Sequence, residues 1–398
     1  MFQGAKVVHG QSLNVSPKNC AMKRFSLLIG LVAIVATAGA KTPPENSDDR
    51  MLCGQMEKAV RRIVSIPDIE GYKTLKCDFH MHTVFADAQV SPVGRVREAW
   101  QDGLDVIAVS EHIAVHKSPG IKLKDYNLPI NQAVKEGTKW GLMVVPAVEI
   151  TRTKPFGHMN ALFIKDPNVF EETRYKVDEN GKLIYDKDGN RIPNPTEMDD
   201  FRKAEEQGAF IIWNHPGWPD RKCTFFPLHK QLIKEGRIGA VELFNSIEWY
   251  PKVLDWFDEY KLPMMANSDI HETSRFAYGN QVRPMTLVFA KEYTLESLRE
   301  ALFAGRMLAF FEDKLAGDKE LIGKVIDSSL QIQVVDEKKG VLVVTNISDI
   351  PFSTIFGDHM SPVVFRSRSA IRVTVPKGTV LEFTNCYIGR QTLKKEIW

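Results

Sequence analysis

Short apolar runs recur along this chain, and most of them carry a histidine or an acidic residue at or beside one end. Several of the runs are bounded by glycine or proline, a pattern typical of buried β-strands. The strands predicted in this way are 75–82, 104–112, 142–151, 158–164, 209–215, 240–245 and 263–271. A chain that places strand after strand in this way must bury them in a common sheet or barrel.

Amphipathic segments separate several of these runs. Ser91-Pro92 provides an N-cap and a first-turn proline for a helix over 93–102. Further helices are predicted over 197–207 and 228–235, and a glycine follows each of these segments. Repeated strand–helix units, interrupted by one polar insertion, predict an α/β barrel or sheet of about 240 residues.

The pattern changes after Lys314. The later apolar runs are short, rich in β-branched residues and separated by turn residues, and we find no helical periodicity among them. An all-β C-terminal domain similar to a small sandwich is therefore predicted over 315–398, with a packing or docking role. Its strands are expected at 330–335, 340–345, 361–365, 371–375 and 379–383.

A polar insertion over 166–196 interrupts the strand–helix pattern. Its acidic, glycine-containing stretches do not have the spacing of a calcium-binding loop. We therefore expect a protruding hairpin.

The N-terminus has the three parts of a secretory signal. Met22-Lys23-Arg24 precedes an uncharged apolar stretch that ends in the small residues 37–40. We expect cleavage after Ala40, export to the periplasm or the exterior, and a lead-in segment over 41–73. Residues 1–21 are interpreted as an upstream extension, with Met22 as the true start. The alternative is a short membrane anchor, but the stretch is shorter than the ~20 residues that span a bilayer.

The distribution of charge argues against one class of partner. The formal net charge is +2, and residues 1–40 contain four basic residues and no acidic one, so the remainder carries −2. Such a chain has no electrostatic signature of nucleic-acid or anionic-membrane binding. We expect a small-molecule substrate, and the sequence does not indicate an oligomeric state.

Four cysteines would remain after cleavage: Cys53, Cys77, Cys223 and Cys386. None belongs to a CxxC redox or zinc motif. An oxidising compartment permits a disulfide without requiring one, so their pairing stays open.

Nine side chains that can bind metal lie at or beside the ends of the predicted strands, and six of the ten histidines are among them. Residues i and i+2 of a strand point to the same side, so His80 with His82, and Asp269 with His271, each present two ligands in one direction. In α/β barrels the C-terminal strand ends converge on one mouth, where catalytic groups gather. The candidates are His80, His82, Asp87, His112, Glu149, His158, His215, Asp269 and His271.

Nine ligands exceed the three or four of a single catalytic zinc site and favour two or three divalent ions bridged by carboxylates. Imidazole mixed with carboxylate fits Zn, Mn or Fe without choosing among them. The alternative is a set of unrelated residues, with histidines held by hydrogen bonds and acids capping helices. That alternative is the commoner one for His158 alone, but it does not explain why successive strands end in a ligand.

The ordered motifs resemble those of the PHP (polymerase and histidinol phosphatase) family. The shared pattern is H-x-H with a downstream Asp, an E-H pair, a strand-end Glu, N-H-P and a final D-x-H, and it covers roughly 74–311. The resemblance implies a distorted (β/α)7 barrel, here 74–314, that carries up to three metals and hydrolyses phosphoesters. The exported architecture with a β-rich tail also resembles a bacterial subgroup likened to phosphodiesterases.

The resemblance also implies how the ligands are divided. One metal would take His80, His82, Glu149 and Asp269, a second would share Glu149 and add His158 and His215, and a third would take Asp87, His112 and His271. The sequence departs from the pattern at Glu111, where many members carry Asp. This departure affects the surroundings of His112 and not the ligand itself.

Clustered divalent ions lower the pKa of bound water and neutralise phosphoryl oxygens. Asp269 and His215 are the candidate catalytic residues, and Asp269 could accept the proton of the nucleophile as well as bind metal.

The candidate phosphate-binding residues near ligand strand ends are Arg152, Lys154 and Arg275; solvated rim charges are the alternative. Trp213, Trp218 and Phe276 flank the mouth and could hold an apolar leaving group, although packing is the commoner role of such side chains.

We therefore expect an exported metal-dependent phosphoesterase that acts on diesters or monoesters. Histidinol phosphate is a poor candidate substrate, because histidine synthesis is cytoplasmic. One alternative is an amidohydrolase-type metal hydrolase, which also opens with H-x-H but usually bridges its metals with a strand-end Lys where this chain has Glu149. The other is a protein that keeps the metals, lacks catalysis and docks a partner.

Overall fold

The computed structural model describes residues 59–113, 123–170, 176–185, 187, 197–218, 220–357 and 362–398. The predicted signal, its cleavage site and Cys53 lie outside these residues. Within them the chain is a mixed α/β protein with a large central sheet, a separate three-stranded sheet and eight helices. None of the helices in the described ranges is long and apolar enough to cross a bilayer.

The strands before residue 312 are β1 (Lys73–Asp78), β2 (Val106–His112), β3 (Met143–Thr151), β4 (His158–Leu162), β5 (Phe210–Trp213), β6 (Ala240–Asn245), β7 (Glu248–Trp249), β8 (Met264–Asn267), β9 (Met285–Ala290) and β10 (Met307–Phe311). Their order in the central sheet is β10-β9-β1-β2-β3-β4-β5-β6, with β7 and β8 both paired to β6. All the strands predicted in this part of the chain are present, and β7, β9 and β10 are additional to them.

The helices are α1 (Pro92–Gln101), α2 (Asn127–Trp140), α3 (Glu197–Glu206), α4 (Pro227–Lys234), α5 (Lys252–Tyr260), α6 (Ser274–Tyr278), α7 (Leu295–Phe303) and α8 (Lys319–Ser329). The predicted start of α1 is confirmed, since the Ser91 hydroxyl accepts a hydrogen bond from the Gly94 backbone N–H at 3.1 Å and Pro92 is the first helical residue. The hydroxyl thereby satisfies a backbone donor that has no partner within the helix.

Strand β4 runs against its neighbours. It is antiparallel to both β3 and β5, whereas β1, β2 and β3 are mutually parallel. Its first residue, His158, therefore lies opposite Thr151 at the end of β3. This reversal brings His158, the first residue of β4, to the edge of the sheet where β3 ends.

Strands β1 and β8 end before the two predicted ligand pairs, and the segments beyond them run side by side. Met81 and Ile270 form a parallel bridge. The Asp269 backbone N–H donates to the His80 carbonyl at 2.8 Å, and the His82 N–H donates to the Ile270 carbonyl at 3.2 Å. These contacts keep both segments extended next to each other, so His80–His82 and Asp269–His271 face one region.

The buried guanidinium of Arg95 holds the same two segments. It donates to the carbonyls of His82 at 2.8 Å and Ile270 at 3.1 Å. Arg95 lies on α1 and is completely buried. The helix therefore fixes the backbone directly behind the ligand pairs.

The remaining strands are β11 (Lys314–Gly317), β12 (Leu330–Asp336), β13 (Val341–Asn346), β14 (Phe352–Ile355), β15 (Val363–Phe365), β16 (Ser369–Thr374), β17 (Leu381–Ile388) and β18 (Gln391–Lys395). The expectation that helical periodicity is absent here was wrong, because α8 precedes β12. The Asp318 side chain caps this helix, and Ile322, Val325 and Ile326 form its buried face at helical spacing.

The C-terminal strands belong to two sheets. Strand β17 pairs in parallel with β11 through Leu315 and Cys386, so β14, β15, β17 and β18 continue the central sheet. Strands β12, β13 and β16 form the separate sheet. Leu308, Leu342 and Phe383 belong to one buried cluster, so the core extends across residue 314 without interruption. The domain boundary at 314/315 stays a prediction.

The described part of the polar insertion contains one antiparallel turn. Val177 and Leu183 form a bridge, and the Asp178 backbone N–H donates to the Lys182 carbonyl at 2.9 Å. This is the geometry of a short hairpin.

Three cysteines lie in the described residues, and all three are free thiols: Cys77, Cys223 and Cys386. Cys77 and Cys386 are buried in the sheet, and burial raises the pKa of both thiols. Buried, protonated thiols of this kind are inert packing residues.

Candidate metal centre

The nine predicted ligands meet at one edge of the central sheet. They form four overlapping groups, and within each group the ligand atoms lie within 4.8 Å of one another. The groups are His82, Asp87, His112 and His271; His80, His82 and Asp269; His80, Glu149 and His215; and His112, Glu149 and His158. This arrangement cuts across the division that the family resemblance implies, since His82 also approaches Asp87 and His112 also approaches Glu149.

Glu149 lies between several of the histidines. Its Oε1 is 3.3 Å from His80 Nε2 and 3.1 Å from His158 Nδ1, and its other oxygen contacts His112 Nδ1. The carboxylate is fully buried. Burial alone would raise its pKa, but the adjacent His112 and His158 hold the pKa well below the ordinary value. Glu149 is therefore an ionised carboxylate shared by ligands on different strands.

Asp269 is the second shared carboxylate. Its Oδ1 is 3.2 Å from His80 Nε2 and 3.0 Å from His82 Nε2, and its Oδ2 is 3.7 Å from His215 Nε2. Asp269 and His215 both have positive φ, 48° and 22°. Non-glycine residues rarely adopt this backbone conformation, and it is found more often at functional sites.

Asp87 joins the outer histidines. Its Oδ1 lies 3.3 Å from His112 Nε2 and 3.1 Å from His271 Nε2. The rings of His82 and His112 are stacked with their centroids 4.1 Å apart. Three imidazoles and a carboxylate thus surround one point beside the inner ligands.

The chemistry of the donor set fits divalent cations. All the ion pairs that Glu149 and Asp269 make in the described structure involve histidine, so these buried carboxylates have no lysine or arginine counter-ion there. The buried Nδ1 atoms of His82 and His215 have no hydrogen-bond partner. Burial and the neighbouring His112 lower the pKa of His82 to about 3, which keeps it in the neutral form that binds metal. Buried carboxylates need positive charge beside them, and bound divalent cations would supply it in place of protonated histidines.

Glu242 was missed by the sequence prediction. It is a fully buried carboxylate in the middle of β6. Its Oε1 lies 2.8 Å from His80 Nδ1, and its Oε2 accepts a hydrogen bond from the His215 backbone N–H at 2.7 Å. Asn245 and Asn267 also donate to it. The signal that could have found it is an acidic residue inside an otherwise apolar strand, since such a residue needs several buried partners.

Glu111 lies behind His112. It accepts hydrogen bonds from the Thr83 hydroxyl and, at 3.3 Å, from the Thr83 backbone N–H. Burial raises the pKa of Glu111 to about 7, although the bonds from Thr83 oppose the shift. The residue that departs from the family pattern therefore holds the segment directly after His82.

The predicted phosphate-binding residues lie in different environments. The guanidinium of Arg152 is buried and forms an ion pair with Asp200, which favours a structural role over phosphate binding. Lys154 is about half exposed and lies 3.6 Å from Asp220. Arg275 is exposed on α6 and donates to Asn280. Their assignment to phosphate stays a prediction.

The three aromatic residues predicted at the mouth also differ. Trp213 is buried and stacks on His229 and Trp256, as expected of a packing residue. Trp218 is 58% exposed, and its ring lies 5.6 Å from that of His158. Phe276 is exposed on α6. Trp218 is thus the one of the three that combines exposure with a ring contact to a candidate ligand.

A cleft of about 490 Å³ opens beside the centre. His215 and Asp269 line it, together with Trp218, Arg221 and Ile247. The two candidate catalytic residues therefore face a space that is large enough for a substrate.

Comparison with known proteins places the chain in a family. A two-domain protein from Bacteroides vulgatus that contains a predicted PHP-like metal-dependent phosphoesterase is 30% identical, with a TM-score of 0.73, over 86% of this chain and 99% of that chain. A lesion-specific endonuclease from Pyrococcus furiosus is 18% identical, with a TM-score of 0.38, over 62% of this chain and 59% of that one. A histidinol phosphate phosphatase from Lactococcus lactis, solved with zinc, L-histidinol and phosphate, is 16% identical, with a TM-score of 0.29, over 50% of this chain and 88% of that one.

No family model and no curated protein matches the chain. The family assignment rests on the Bacteroides protein, because the other two similarities are too low to carry it. The predicted H-x-H, strand-end Glu, N-H-P and D-x-H motifs meet in one cluster, as the resemblance implied. The chain belongs to the PHP-like metal-dependent phosphoesterases, a family of hydrolases.

Proposed function

We propose that this chain is an exported phosphoesterase that hydrolyses phosphodiesters or phosphomonoesters at a site of two or three divalent ions. The observation that carries the proposal is the cluster of six histidines, five of them buried, around Glu149, Asp269 and Asp87. Its carboxylates lie next to imidazoles, which is the environment of a multi-metal hydrolase site. Zn, Mn and Fe all suit this donor set.

Divalent ions held here would lower the pKa of a bound water to supply hydroxide and would neutralise the phosphoryl oxygens. The side chain of Asp269 is 18% exposed whereas that of Glu149 is fully buried. Asp269 is therefore the shared carboxylate that a proton from the nucleophile can reach, and Glu149 holds the ligands together from behind. His215 lines the cleft on the same side as Asp269 and completes the proposed catalytic pair.

The pairing of the strands supports the finer fold proposal, a distorted seven-stranded barrel. Strand β8 pairs with β6, and the segment after it bridges back to the segment after β1. The run from β1 through β6 therefore returns on itself through β8. Export is supported by the sequence of residues 22–40 alone.

The test compares aryl phosphate monoesters and diesters as substrates for the chain from Lys41 onward, loaded with manganese. We expect turnover that a chelator abolishes and that His80→Ala reduces by several orders of magnitude. His229→Gln is the matched control, since His229 is a buried histidine outside the metal cluster. Phosphoester turnover that survives complete chelation would overturn the proposal. Turnover of amides without any phosphoester turnover would favour an amidohydrolase instead.

The preferred ester class follows from the same experiment. Faster diester cleavage would identify a phosphodiesterase, and faster monoester cleavage would identify a phosphatase whose pocket closes around a terminal phosphate.

A further inference from the structure

The outer wall of the cleft contains side chains for which the proposed hydrolysis has no use. Trp218 is 58% exposed and Ile247 is 76% exposed, and both line the same cleft as His215 and Asp269. Single exposed apolar side chains are common on proteins, but two of them beside a catalytic cluster mark a surface suited to a ligand.

A tight turn positions the indole of Trp218 next to the metal centre. The Trp218 backbone N–H donates to the carbonyl of His215 at 2.8 Å and closes this turn. Only two residues separate the candidate ligand from the tryptophan. Gly217, between them, packs directly against Tyr250, since a Cβ at this position would lie 2.5 Å from the Tyr250 ring. The backbone that carries the indole is therefore fixed, which limits the entropy lost when a ring stacks on Trp218.

The cleft also has a cation. Arg221 lines it, and in the described ranges no acidic side chain forms an ion pair with Arg221. By contrast, Arg152 is engaged by Asp200 and Lys154 lies 3.6 Å from Asp220. A guanidinium without a carboxylate partner is suited to an anionic group of a ligand.

We propose that this cleft binds the leaving group of the substrate, and that this group carries a planar aromatic ring and an anionic substituent. The ring stacks on Trp218, and the anion pairs with Arg221. The inference rests on the proposed phosphoesterase function and specifies the substrate class of that site. The phosphoryl group lies over the metal ligands, and the leaving group extends past His215 toward Trp218.

The test uses three phosphodiesters that differ only in the leaving group: methyl, phenyl and 4-carboxyphenyl. For each substrate the kcat/KM of a variant is divided by that of the wild type, which cancels the intrinsic reactivity of the ester. Stacking is worth about 1–3 kcal/mol, so Trp218→Ala should lower kcat/KM on both ring-bearing esters roughly 5- to 150-fold more than on the methyl ester. Trp218→Phe should restore part of this loss.

Arg221→Met should lower kcat/KM on the 4-carboxyphenyl ester alone, by about 5-fold, as expected for a partly solvated ion pair. Matched controls are Phe303→Ala, an exposed aromatic on α7, and Arg372→Met, an exposed arginine on β16. Both should leave all three ratios near one. If Trp218→Ala lowers kcat/KM equally on the methyl and phenyl esters, the proposal that the ring stacks on Trp218 is wrong.

A binding measurement separates this inference from the proposed function. Calorimetry with phenylphosphonate and with methylphosphonate, on wild type and Trp218→Ala, needs no turnover. We expect the variant to weaken binding of phenylphosphonate alone. If the wild type hydrolyses no phosphoester, the proposed function fails, and the two phosphonates still decide whether the cleft prefers a ring. Equal affinity of the wild type for both phosphonates would overturn the inference.

Discussion

Nδ1 of His80 lies 2.8 Å from Oε1 of Glu242, on the side of the ring opposite the metal cluster. A hydrogen bond from this nitrogen to the carboxylate leaves the Nε2 lone pair directed at Glu149 and Asp269. A carboxylate behind a histidine ligand fixes the tautomer of the ring and raises its basicity.

Glu242→Gln should therefore weaken metal binding about 10- to 100-fold, because the amide is a poorer acceptor for the His80 N–H. The measurement is the metal dissociation constant by competition with a chelating dye. Glu205→Gln, which alters a carboxylate paired with Arg237 away from the centre, is the control. An unchanged dissociation constant would show that Glu242 does not orient His80.

Glu149 belongs to two of the four ligand groups and His271 to only one. Glu149→Ala should accordingly remove more metal per chain than His271→Ala. Elemental analysis of the purified variants, after equilibration with the same metal buffer, measures this directly. Equal metal loss in the two variants would contradict a shared role for Glu149.

The buried ion pair of Arg152 and Asp200 predicts a loss of stability, and not primarily a loss of substrate affinity. Arg152→Met should lower the free energy of unfolding by about 3–5 kcal/mol, because it leaves the Asp200 carboxylate buried without its partner. The double variant Arg152→Met with Asp200→Leu should recover part of this loss. Urea unfolding of the wild type and the two variants measures the loss, and a large rise in KM with unchanged stability would restore Arg152 as a phosphate-binding residue.

His229 predicts a dependence of stability on pH. Burial lowers the pKa of this histidine from 6.5 to about 4, although the hydrogen bond from Nε2 to the Phe156 carbonyl opposes the shift. Its ring is stacked on Trp213. The unfolded chain thus binds the proton more tightly than the folded one. The contribution of His229 to the free energy of unfolding is complete above pH 6.5. It is lost as the pH falls from 6.5 toward 4, and the total loss is on the order of 3 kcal/mol.

His229→Gln should remove this slope. The difference in unfolding free energy between the variant and the wild type, measured from pH 4.5 to 7.5, isolates His229 from the other titrating groups. A difference that stays constant across this range would contradict the lowered pKa.

The positions of the candidate ligands were predictable because strand ends and ligand types coincide in the sequence. His112 and Glu149 lie in the strands that the apolar runs predict. The i, i+2 argument gave the right direction for His80 and His82 although β1 already ends at Asp78, because hydrogen bonds to the segment after β8 keep those residues extended.

Other features were not predicted from the sequence, for different reasons. The antiparallel direction of β4 follows from a short connection to β3, which a pattern of apolar residues does not reveal. Glu242 is defined by partners on β1, β5 and β8 or just beyond them. The helix α8 has an ordinary capping residue and apolar spacing, so its pattern was present but obscured by the β-rich segments that follow it.

The pairing of β11 with β17 also affects how the chain can fold during synthesis. One edge of β11 is covered by β10, its immediate neighbour in sequence, but the other edge is covered by a strand that is made only at residues 381–388. Until then the emerging chain exposes backbone donors and acceptors that could pair with another molecule. The strands that carry the candidate ligands are all made earlier, so this open edge would persist at a stage when every residue of the candidate metal centre has already been synthesised.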